Sequence, residues 1–356
     1  MADSSCPKVV VLIVAYNSRG DLEECLSSVL ASDDGPIGKQ VVVVDNASED
    51  DSAALVRERF PQVDLVRSES NRGFAGGNNL GWEHVKTHHG DASYLALLNA
   101  DTIVESGWLV EIVDFLESHP KVGSVQPKIR LHPHTERINT AGNRSHFLGF
   151  GFVTAFDQVD EGQCDQARSI DFASGAALMV RTGLLERFGL FDEEMFLYLE
   201  DADLSWKLRA MGYDTMYVPG SVVYHKHNPN KALQHYFHLE LNRWRLLFGY
   251  YRWRTLFLIG PCLDLMELGT LLFALRHGFL RQKLRSYGAL FHREVRDQLF
   301  EKRRWIQAQR VVGDRELMGR FTGTIDFPGL GGPLVRYMAN PILGLYWRLV
   351  RPLIRW

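Results

Sequence analysis

The amino-acid sequence predicts an α/β protein with a mostly parallel sheet flanked by helices, followed by a helical C-terminal region. Over the first ~125 residues, short runs of β-branched residues alternate with segments of helical periodicity, as in parallel sheets covered by helices. Each predicted strand ends in a polar turn. The 356 residues are 46% hydrophobic and 23% charged, which is typical of a folded globular protein and not of a disordered or fibrous one.

The predicted elements of the sheet follow one another in a βαβ order. The strands are short apolar runs rich in valine and leucine, and the helices between them carry apolar residues at helical spacing. The predicted strands are 9–15, 40–45, 63–67 and 94–98, and the predicted helices are 21–31, 51–60 and 77–88.

Polar residues stand where three of these strands end: Tyr16 and Asn17, then Asp45, then Asn99 and Asp101. Open α/β sheets bind ligands in the crevice at the carboxyl ends of their strands. Asp45 has two interpretations, either an Asx-turn that closes its strand or an acceptor for the imide N–H of uracil or thymine, with Tyr16 stacked on the same base. Asn99 and Asp101 are alternate residues of an extended segment, so both side chains can face one ligand.

No glycine motif for nucleotide phosphates follows these strands. Residues 73–81 (GFAGGNNLG) match neither GxGxxG nor GxxxxGK[ST], which disfavours a dinucleotide-dependent dehydrogenase or a P-loop enzyme. A divalent cation held by carboxylates is the usual alternative for neutralising nucleotide phosphates. The acidic residues are therefore the next candidates for a functional site.

The segment 196–206 (FLYLEDADLSW) places three carboxylates within four positions, at Glu200, Asp201 and Asp203. Acids at a helix N-terminus interact favourably with the helix dipole, so a capping role is one interpretation. The residues that follow are those of an amphipathic helix that must pack against a core, which favours a functional role for the acids.

Five fragments, taken in order, resemble a known family. They are VAYNSRGDLEECLSSVLAS, VVVVDNASEDDS, NRGFAGGNNLGW, LLNADT and SGAALMVRTGLLERFGLFDEEMFLYLEDADLSWKLRAMGY. Together they resemble the inverting glycosyltransferases of family 2, which have the GT-A fold, and among these the bacterial rhamnosyltransferases and related enzymes of cell-surface polysaccharide synthesis. The resemblance covers about residues 8–250.

The resemblance implies roles for individual residues. The second acid of the family's Glu-Asp-x-Asp motif is the general base, which here is Asp201. This carboxylate would deprotonate an acceptor hydroxyl as it attacks the anomeric carbon from the face opposite the nucleotide diphosphate. The segment NRGFAGGNN is similar to the family loop that closes on the nucleotide. Residues expected to bind the nucleotide sugar are Tyr16, Asn17, Asp45, Asn71, Gly73, Asn78, Asn99, Asp101, Gly175 and Ala176, and those expected to bind the acceptor are Glu200, Asp203 and Trp206. Glu200 and Asp203 would either hold the acceptor or orient the base.

The resemblance also implies a divalent cation, Mn²⁺ or Mg²⁺, bound by Asp101 and His225. The family's DxD-like motif is Asn99-Ala100-Asp101 in this chain, so an amide replaces the first carboxylate. Asn99 can hydrogen-bond a ribose hydroxyl but is a poor cation ligand. One carboxylate and one imidazole need diphosphate oxygens to complete the coordination shell, so weak metal binding without nucleotide is expected.

The predicted activity is transfer of a sugar, with rhamnose as the candidate, from a dTDP- or UDP-sugar donor to a lipid-linked saccharide acceptor. The alternative is a catalytically inert nucleotide- or carbohydrate-binding scaffold of the same fold, which the amide at Asn99 leaves open. Retention of Asp101, Asp201 and His225 favours the enzyme.

The C-terminal third differs in charge from the rest of the chain. Residues 243–356 contain 20 Lys and Arg against 8 Asp and Glu, whereas residues 1–242 contain 20 against 35. We therefore divide the chain into a GT-A domain at 1–240 and a basic, aromatic-rich helical region at 241–356. Such a region is typical of contact with an anionic membrane. Nucleic acid is the rival partner, but the apolar content between the charges is too high for it.

The apolar stretch 256–275 is long enough to suggest a membrane span, but Asp264 and Glu267 interrupt it. Acids inside a span are costly, so an interfacial or partly embedded helical pair is expected instead. The start of the chain lacks the basic region of a signal peptide, and the four cysteines form no CxxC pair. These features predict a cytoplasmic protein that lies peripherally on the inner face of the cell membrane.

Overall fold

The structure, a computed structural model, describes residues 6–227, 234–326 and 332–356. The strands within these ranges run from the N-terminus to residue 225. They are β1 (Lys8–Ala15), β2 (Gly38–Asp45), β3 (Asp64–Arg67), β4 (Tyr94–Asn99), β5 (Thr102–Val104), β6 (Val122–Leu131), β7 (Ile138–Thr140), β8 (Asn143–Ser145), β9 (Gly151–Val153), β10 (Arg168–Ile170), β11 (Ala177–Arg181) and β12 (Asp214–His225).

Helices cover the sheet and make up most of the C-terminal third. In chain order they are α1 (Arg19–Ala31), α2 (Ser52–Arg59), α3 (Gly73–His88), α4 (Trp108–Ser118), α5 (Thr182–Phe188), α6 (Glu200–Ala210), α7 (Tyr236–Tyr250), α8 (Trp253–Arg276), α9 (Leu280–Phe291), α10 (Arg293–Gln309), α11 (Asp314–Leu317) and α12 (Asn340–Val350). Short 3₁₀ helices lie at Glu193–Met195 and Arg351–Leu353, and a π-helical turn lies at Val335–Ala339.

Ten of the described strands form one mixed sheet in the order β10-β12-β6-β11-β4-β1-β2-β3, with β5 paired to β12 and β7 paired to β6. Strand β1 lies between β2 and β4 and is parallel to both, so that Val11 is opposite Val41 on one side and Ala96 on the other. These residues are buried on both faces of the sheet, as in parallel sheets between two helical layers. The predicted α/β fold with a mostly parallel sheet is confirmed.

The parallel register brings the predicted polar strand ends together. Ala15 is opposite Asp45, and Val14 is opposite Asn99. The turns that follow β1, β2 and β4 therefore lie at one edge of the sheet, where a ligand-binding crevice is expected.

Helix α3 corrects one prediction, because it begins at Gly73 instead of Gly77. The glycines of this segment allow close packing and do not form a loop. A Cβ added at Gly81 would lie 2.3 Å from a methyl group of Leu12, and one added at Gly77 would lie 2.8 Å from Val14. The glycine-rich run therefore lets the helix approach the sheet more closely than larger side chains would permit.

Helices of the C-terminal third complete the core on one face of the sheet. Trp206 of α6 stacks on Tyr251 and on Phe321, with ring centroids 5.8 Å and 4.7 Å apart. Phe147 stacks on Trp347 of α12 at 4.7 Å. One hydrophobic cluster therefore includes residues from before and after position 240.

Helix α8 is one continuous helix of 24 residues with Pro261 inside it, which corrects the expected helical pair. Neighbouring elements hold it on both sides of the proline. The hydroxyl of Tyr346 donates to the carbonyl of Leu258 at 2.6 Å, and Glu267 pairs with Arg243 and with Lys283. Among the described helices, α8 is the one that is long and apolar enough to cross a membrane. Of its most apolar stretch of 18 residues, 22% is buried.

Candidate active site

The turns after β1 and β2 are tied together at the strand-end crevice. The backbone N–H of Asn17 donates to Ser48 Oγ at 3.1 Å, and Asn17 Oδ1 accepts from the N–H of Glu49 at 2.8 Å. Asn17 has a positive φ of 49°, which asparagine tolerates better than most residues. Tyr16 is left 47% exposed at the rim, so its ring is accessible to a ligand.

Asp45 is buried at the end of β2 and has two partners. Its Oδ1 accepts from the N–H of Ser48 at 3.1 Å, which is the Asx-turn interpretation, and its Oδ2 lies 3.3 Å from Nε of Arg67. The Arg67 side chain is 61% exposed. The Arg67 guanidinium thus lies against the carboxylate oxygen that the turn does not use.

The predicted metal ligands Asp101 and His225 lie side by side, with Oδ1 and Nε2 separated by 3.3 Å. Strand β12 positions His225 by pairing it with Thr102 of β5. The other ring nitrogen of His225, Nδ1, lies 3.0 Å from Oδ1 of Asn139. An imidazole held through Nδ1 presents Nε2 to its other side, which in metal sites is the coordinating nitrogen.

Asp201 is connected to the strand-end motif by two hydrogen bonds. The N–H of Gly175 donates to Asp201 Oδ2 at 2.9 Å, and the N–H of Asn99 donates to the carbonyl of Ala176 at 3.0 Å. A Cβ added at Gly175 would lie 3.3 Å from the Phe74 ring. The turn of Gly175 and Ala176 therefore brings the end of β4 and the start of α6 to one location.

Burial raises the pKa of Asp201 to about 6, and the N–H groups of Gly175 and Ala202 counteract this rise in part. Burial also raises the pKa of Glu200 well above its usual value, and the neighbouring carboxylates of Asp201 and Asp203 raise it further. Within the described residues, Oε2 of Glu200 has no hydrogen-bond partner. Of the two roles weighed for Glu200, its burial supports orienting the base more than contacting an acceptor.

Asp203 and Trp206, the other residues expected to contact the acceptor, have partners inside the protein. Asp203 is buried and pairs with Lys302 of α10 at 2.5 Å, and Trp206 is buried with its Nε1 donating to Ser145 Oγ at 2.9 Å. Both side chains face the core at the packing interface of α6, which supports a structural role for them in this arrangement.

The residues of the segment 71–78 that are expected to contact the nucleotide have local structural partners as well. Gly73 is buried with a φ of +69°, and a Cβ there would lie 2.3 Å from the carbonyl oxygen of Phe196. Asn78 is buried and donates to the carbonyl of Phe74 within α3 at 2.9 Å. Asn71 is exposed, but its Oδ1 accepts from the N–H of Gly73 at 2.8 Å and helps to begin the helix. The segment acts as a packing surface for residues before Asp201.

The segment before Asp201 has a strained backbone. Phe196, Tyr198 and Leu199 have φ of 57°, 69° and 66°, a region that residues other than glycine rarely adopt. Asn242 of α7 holds this segment, because its Nδ2 lies 2.7 Å, 3.0 Å and 2.8 Å from the carbonyl oxygens of Met195, Leu197 and Tyr198. Strain of this kind is found at functional sites where the surrounding structure maintains it.

Sequence reasoning missed Asn139 and Asn242. Each acts on a site residue that is distant in the chain, His225 in the first case and the 196–199 segment in the second. Neither asparagine belongs to a known motif or to a periodic pattern of apolar residues, so the sequence offered no signal for them.

A second group of possible metal ligands lies elsewhere in the fold. The ligand atoms of Asp64, His84 and His89 are within 4.8 Å of one another. Asp64 begins β3 and Arg67 ends it, so this cluster lies at the opposite end of the strand from the crevice. It does not belong to the site of Asp101 and Asp201.

The sequence model of a family described as "Glycosyltransferase like family 2" matches residues 7–245. One relative is the N-acetylglucosaminyl-diphospho-decaprenol L-rhamnosyltransferase of Mycobacterium tuberculosis, 27% identical over 233 residues that cover 60% of this chain and 75% of the relative. Another is the poly-beta-1,6-N-acetyl-D-glucosamine synthase of Staphylococcus epidermidis, 26% identical over 219 residues that cover 58% of this chain and 47% of the synthase.

Solved structures show the same fold. The crystal structure of GalNAc-T7 with UDP, GalNAc and Mn²⁺ superposes with a TM-score of 0.55 and 15% identity, over 70% of this chain and 49% of that one. The mannosyltransferase PcManGT of Pyrobaculum calidifontis, in complex with GDP-Man and Mn²⁺, superposes with a TM-score of 0.50 and 19% identity, over 89% and 86%. This chain thus spans about half the length of the synthase and of GalNAc-T7. The predicted GT-A fold is confirmed.

Proposed function

We propose, on the premise that this chain belongs to the glycosyltransferase-like family 2 and is a glycosyltransferase, that it transfers a sugar from a nucleotide-diphosphate donor with inversion at the anomeric carbon. Asp201 is the general base of this reaction. The observation that carries the proposal is the pair of hydrogen bonds through Gly175 and Ala176 that joins Asp201 to Asn99. It brings a carboxylate of raised pKa next to the strand-end crevice in which α/β sheets bind nucleotides.

The reaction is a single displacement. An acceptor hydroxyl gives its proton to Asp201 while its oxygen forms a bond to the anomeric carbon. The bond from that carbon to the phosphate oxygen breaks on the opposite face, and the nucleoside diphosphate leaves with the electron pair. A base with a pKa of about 6 is ionised at neutral pH and still accepts a proton effectively.

Asp101 and His225 fit a divalent cation. His225 Nδ1 lies against Oδ1 of Asn139, while Nε2 lies 3.3 Å from an oxygen of Asp101 and would be the nitrogen that coordinates the cation. An imidazole with a carboxylate suits Mn²⁺, and two relatives of the same fold were crystallised with that ion. When bound, the cation would neutralise the diphosphate of the donor.

The acceptor we propose is a lipid-linked saccharide, and the first donor sugar to test is rhamnose. The support is the name of the Mycobacterium tuberculosis relative, which transfers L-rhamnose to N-acetylglucosaminyl-diphospho-decaprenol. Such an acceptor lies in a membrane, so the proposed enzyme would work at a membrane surface.

Helix α8 is the element we propose to contact that membrane. Leu268, Leu272 and Leu275 recur at helical spacing and are each more than half exposed. Arg276 ends the helix, and Arg281 follows in the next one. An exposed apolar stripe next to arginines is typical of helices that lie in an anionic membrane surface, and the pairing of Glu267 with buried cations fixes the opposite face of α8 to the protein.

A donor screen tests this function. Purified protein is incubated with Mn²⁺, a short-chain lipid-diphosphate N-acetylglucosamine and a panel of UDP-, dTDP- and GDP-sugars, and release of nucleoside diphosphate is measured. We expect release from one donor and its loss when Mn²⁺ is chelated. Binding of a nucleotide without transfer to any saccharide would favour the inert scaffold instead.

A further inference from the structure

A surface cavity of about 590 Å³ lies between the start of α7 and α9. Its walls are basic and aromatic, with Arg281 and Arg285 from α9 and His235, Phe237 and His238 from the α7 side. Among the described residues that line it there is no aspartate or glutamate. Its composition therefore suits an anionic ligand.

The two arginines are available to such a ligand. They stand one turn apart on α9 and are both exposed, and neither forms an ion pair within the described ranges of the chain. Lys283, between them, points the other way and pairs with Glu267 at 2.9 Å. The guanidinium of Arg285 lies 4.7 Å from the ring centroid of Phe237, which orients it. Planar guanidinium groups bind phosphate oxygens in pairs of hydrogen bonds.

The cavity is also in contact with the segment 196–199, which precedes Asp201 and is called the catalytic segment below. The ring of His238 stacks on Phe196 at 5.1 Å, and that of His235 lies 5.9 Å from Tyr198. Tyr198 precedes Asp201 by three residues, which limits the distance between their Cα atoms to about 11 Å. The cavity therefore borders the chain segment that leads to Asp201.

Tyr236, which lies in the chain between the lining residues His235 and Phe237, packs against residues at the end of α8 and just after it. Tyr236, which begins α7, stacks on Phe279 at 5.5 Å and lies 6.4 Å from Phe273. The last turns of α8 there expose Leu272 and Leu275. Residues at the cavity are thus packed against the segment before Asp201, and their neighbour Tyr236 is packed against the end of α8.

We infer that this cavity binds the diphosphate of a lipid-linked saccharide acceptor, with the lipid directed toward α8 and the sugar toward Asp201. The inference rests on the proposed function and names the residues that recognise its acceptor. The donor diphosphate is a separate group, because Asp101 and His225 at the strand ends share no residue with the cavity.

Farnesyl diphosphate is a soluble probe of this site, and isothermal titration calorimetry measures its binding without donor or transfer. We expect R281Q/R285Q to weaken binding about tenfold or more, since hydrogen bonds to charged groups are lost, and farnesol to bind far more weakly than the diphosphate. The double variant R296Q/R304Q removes two exposed arginines of α10 outside the cavity and should bind as the unaltered protein does. Asp101→Asn should also leave the affinity unchanged.

Equal binding of farnesyl diphosphate to R281Q/R285Q and to the unaltered protein would overturn the inference. A loss in Asp101→Asn instead would place the probe in the donor site. If R281Q/R285Q lost binding to phosphatidylglycerol vesicles but kept farnesyl diphosphate, the arginines would serve a lipid headgroup, which also overturns it. Because no sugar is transferred in this assay, failure of the donor screen would not alter its outcome.

Discussion

As the proposed base, Asp201 has opposing requirements: it is partly buried, and it must be ionised. Burial raises its pKa to about 6, whereas the N–H groups of Gly175 and Ala202 stabilise the ionised form. Glu200 lies behind it with a raised pKa of its own. Of the two acids, Asp201 is the one that ionises more readily, and Glu200 is the one that stays protonated. Different environments give adjacent acids different roles in this way.

Replacing Asp201 by asparagine should abolish transfer and stabilise the fold. Loss of a general base lowers kcat by a factor of about 10²–10⁴.

Because the pKa of Asp201 in the folded state lies above its value in the unfolded state, the ionised carboxylate destabilises the fold as the pH rises from about 4 to 6. Asp201→Asn should therefore raise the free energy of unfolding by about 1–3 kcal/mol at pH 7, and by about half as much at pH 5. Urea denaturation at the two pH values measures this gain, and Glu58→Gln at an exposed position is the control. An inactive variant without any gain at pH 7 would contradict the pKa assigned to Asp201.

The pKa of Asp201 also determines how activity depends on pH. The base must be ionised, so kcat/KM should be half-maximal near pH 6 and should fall about tenfold for each unit below it. Initial rates at a saturating metal concentration give the profile. An activity that persists undiminished at pH 5 would contradict the role of Asp201.

Asn99 offers a test of the metal site by gain of affinity. Asn99→Asp restores a second carboxylate two positions from Asp101, and carboxylates are better ligands for Mn²⁺ and Mg²⁺ than amides. We expect Mn²⁺ to bind about tenfold more tightly in the presence of a nucleoside diphosphate, as measured by calorimetry. Gln163→Glu adds the same charge in an exposed loop and should have no effect. An unchanged affinity in Asn99→Asp would mean that position 99 does not face the cation.

At the scale of elements, the catalytic segment depends on a helix of the C-terminal third. The positive φ angles at Phe196, Tyr198 and Leu199 are costly, and Asn242 of α7 maintains them through three carbonyl groups. A helix of the C-terminal third therefore holds the segment before Asp201, the proposed base, in addition to completing the core.

Asn242→Ala tests this positioning role. The variant leaves buried carbonyls without their donor, which should cost about 1–3 kcal/mol in the free energy of unfolding. Relaxation of the 196–199 segment should lower kcat about tenfold while the KM of the donor changes little. Tyr251→Phe removes another buried hydrogen bond, to the carbonyl of Phe147, and should lose about 1 kcal/mol of stability but retain kcat. Equal losses of kcat in both variants would indicate general destabilisation instead.

The elements that the sequence predicts well are those with a strong local signal. Strands β1, β2 and β4 are continuous apolar runs, and the polar residues at their ends indicate the crevice from the amino-acid sequence alone. The start of α3 was missed because glycines such as Gly77 and Gly81 are normally read as loop formers, whereas here they permit close packing on Leu12 and Val14.

Site residues whose role depends on distant partners were harder to predict. Asp203 stands two positions from Asp201 in an acidic motif, yet it pairs with Lys302 in the core. Trp206 likewise has an aromatic ring of the kind that stacks on sugars, yet it is buried and packs in the core. The sequence identifies which groups are chemically capable, and only the packing shows which of them a ligand can reach.

At the scale of the molecule, the acidic part that holds the crevice and the basic helical part share one hydrophobic cluster. The charged groups Glu240, Arg243, Glu267 and Lys283 form a buried network inside the helical part. Because this network fixes one face of α8, the leucines of the opposite face remain on the outside, where they can meet a membrane.

Replacing Leu268, Leu272 and Leu275 together by serine should weaken membrane binding. Loss of three exposed apolar side chains should lower the affinity for phosphatidylglycerol vesicles by a factor of ten or more, since each contributes about 1 kcal/mol or more when buried in lipid. Co-sedimentation with vesicles measures the effect, and the remaining binding should decrease further with added salt. The double variant V159S/V311S removes exposed apolar groups elsewhere and should bind normally. Unchanged binding of the triple variant would exclude this face of α8.

The anomeric configuration of the product shows whether Asp201 is the base of an inverting displacement. The sugar product formed by the unaltered protein, and any formed by Asp201→Asn, are examined by proton NMR with the donor that the screen identifies. We expect a product of inverted configuration from the unaltered protein and no detectable product from the variant. Retention of configuration, or transfer by Asp201→Asn at the unaltered rate, would contradict the assignment of Asp201 as the base.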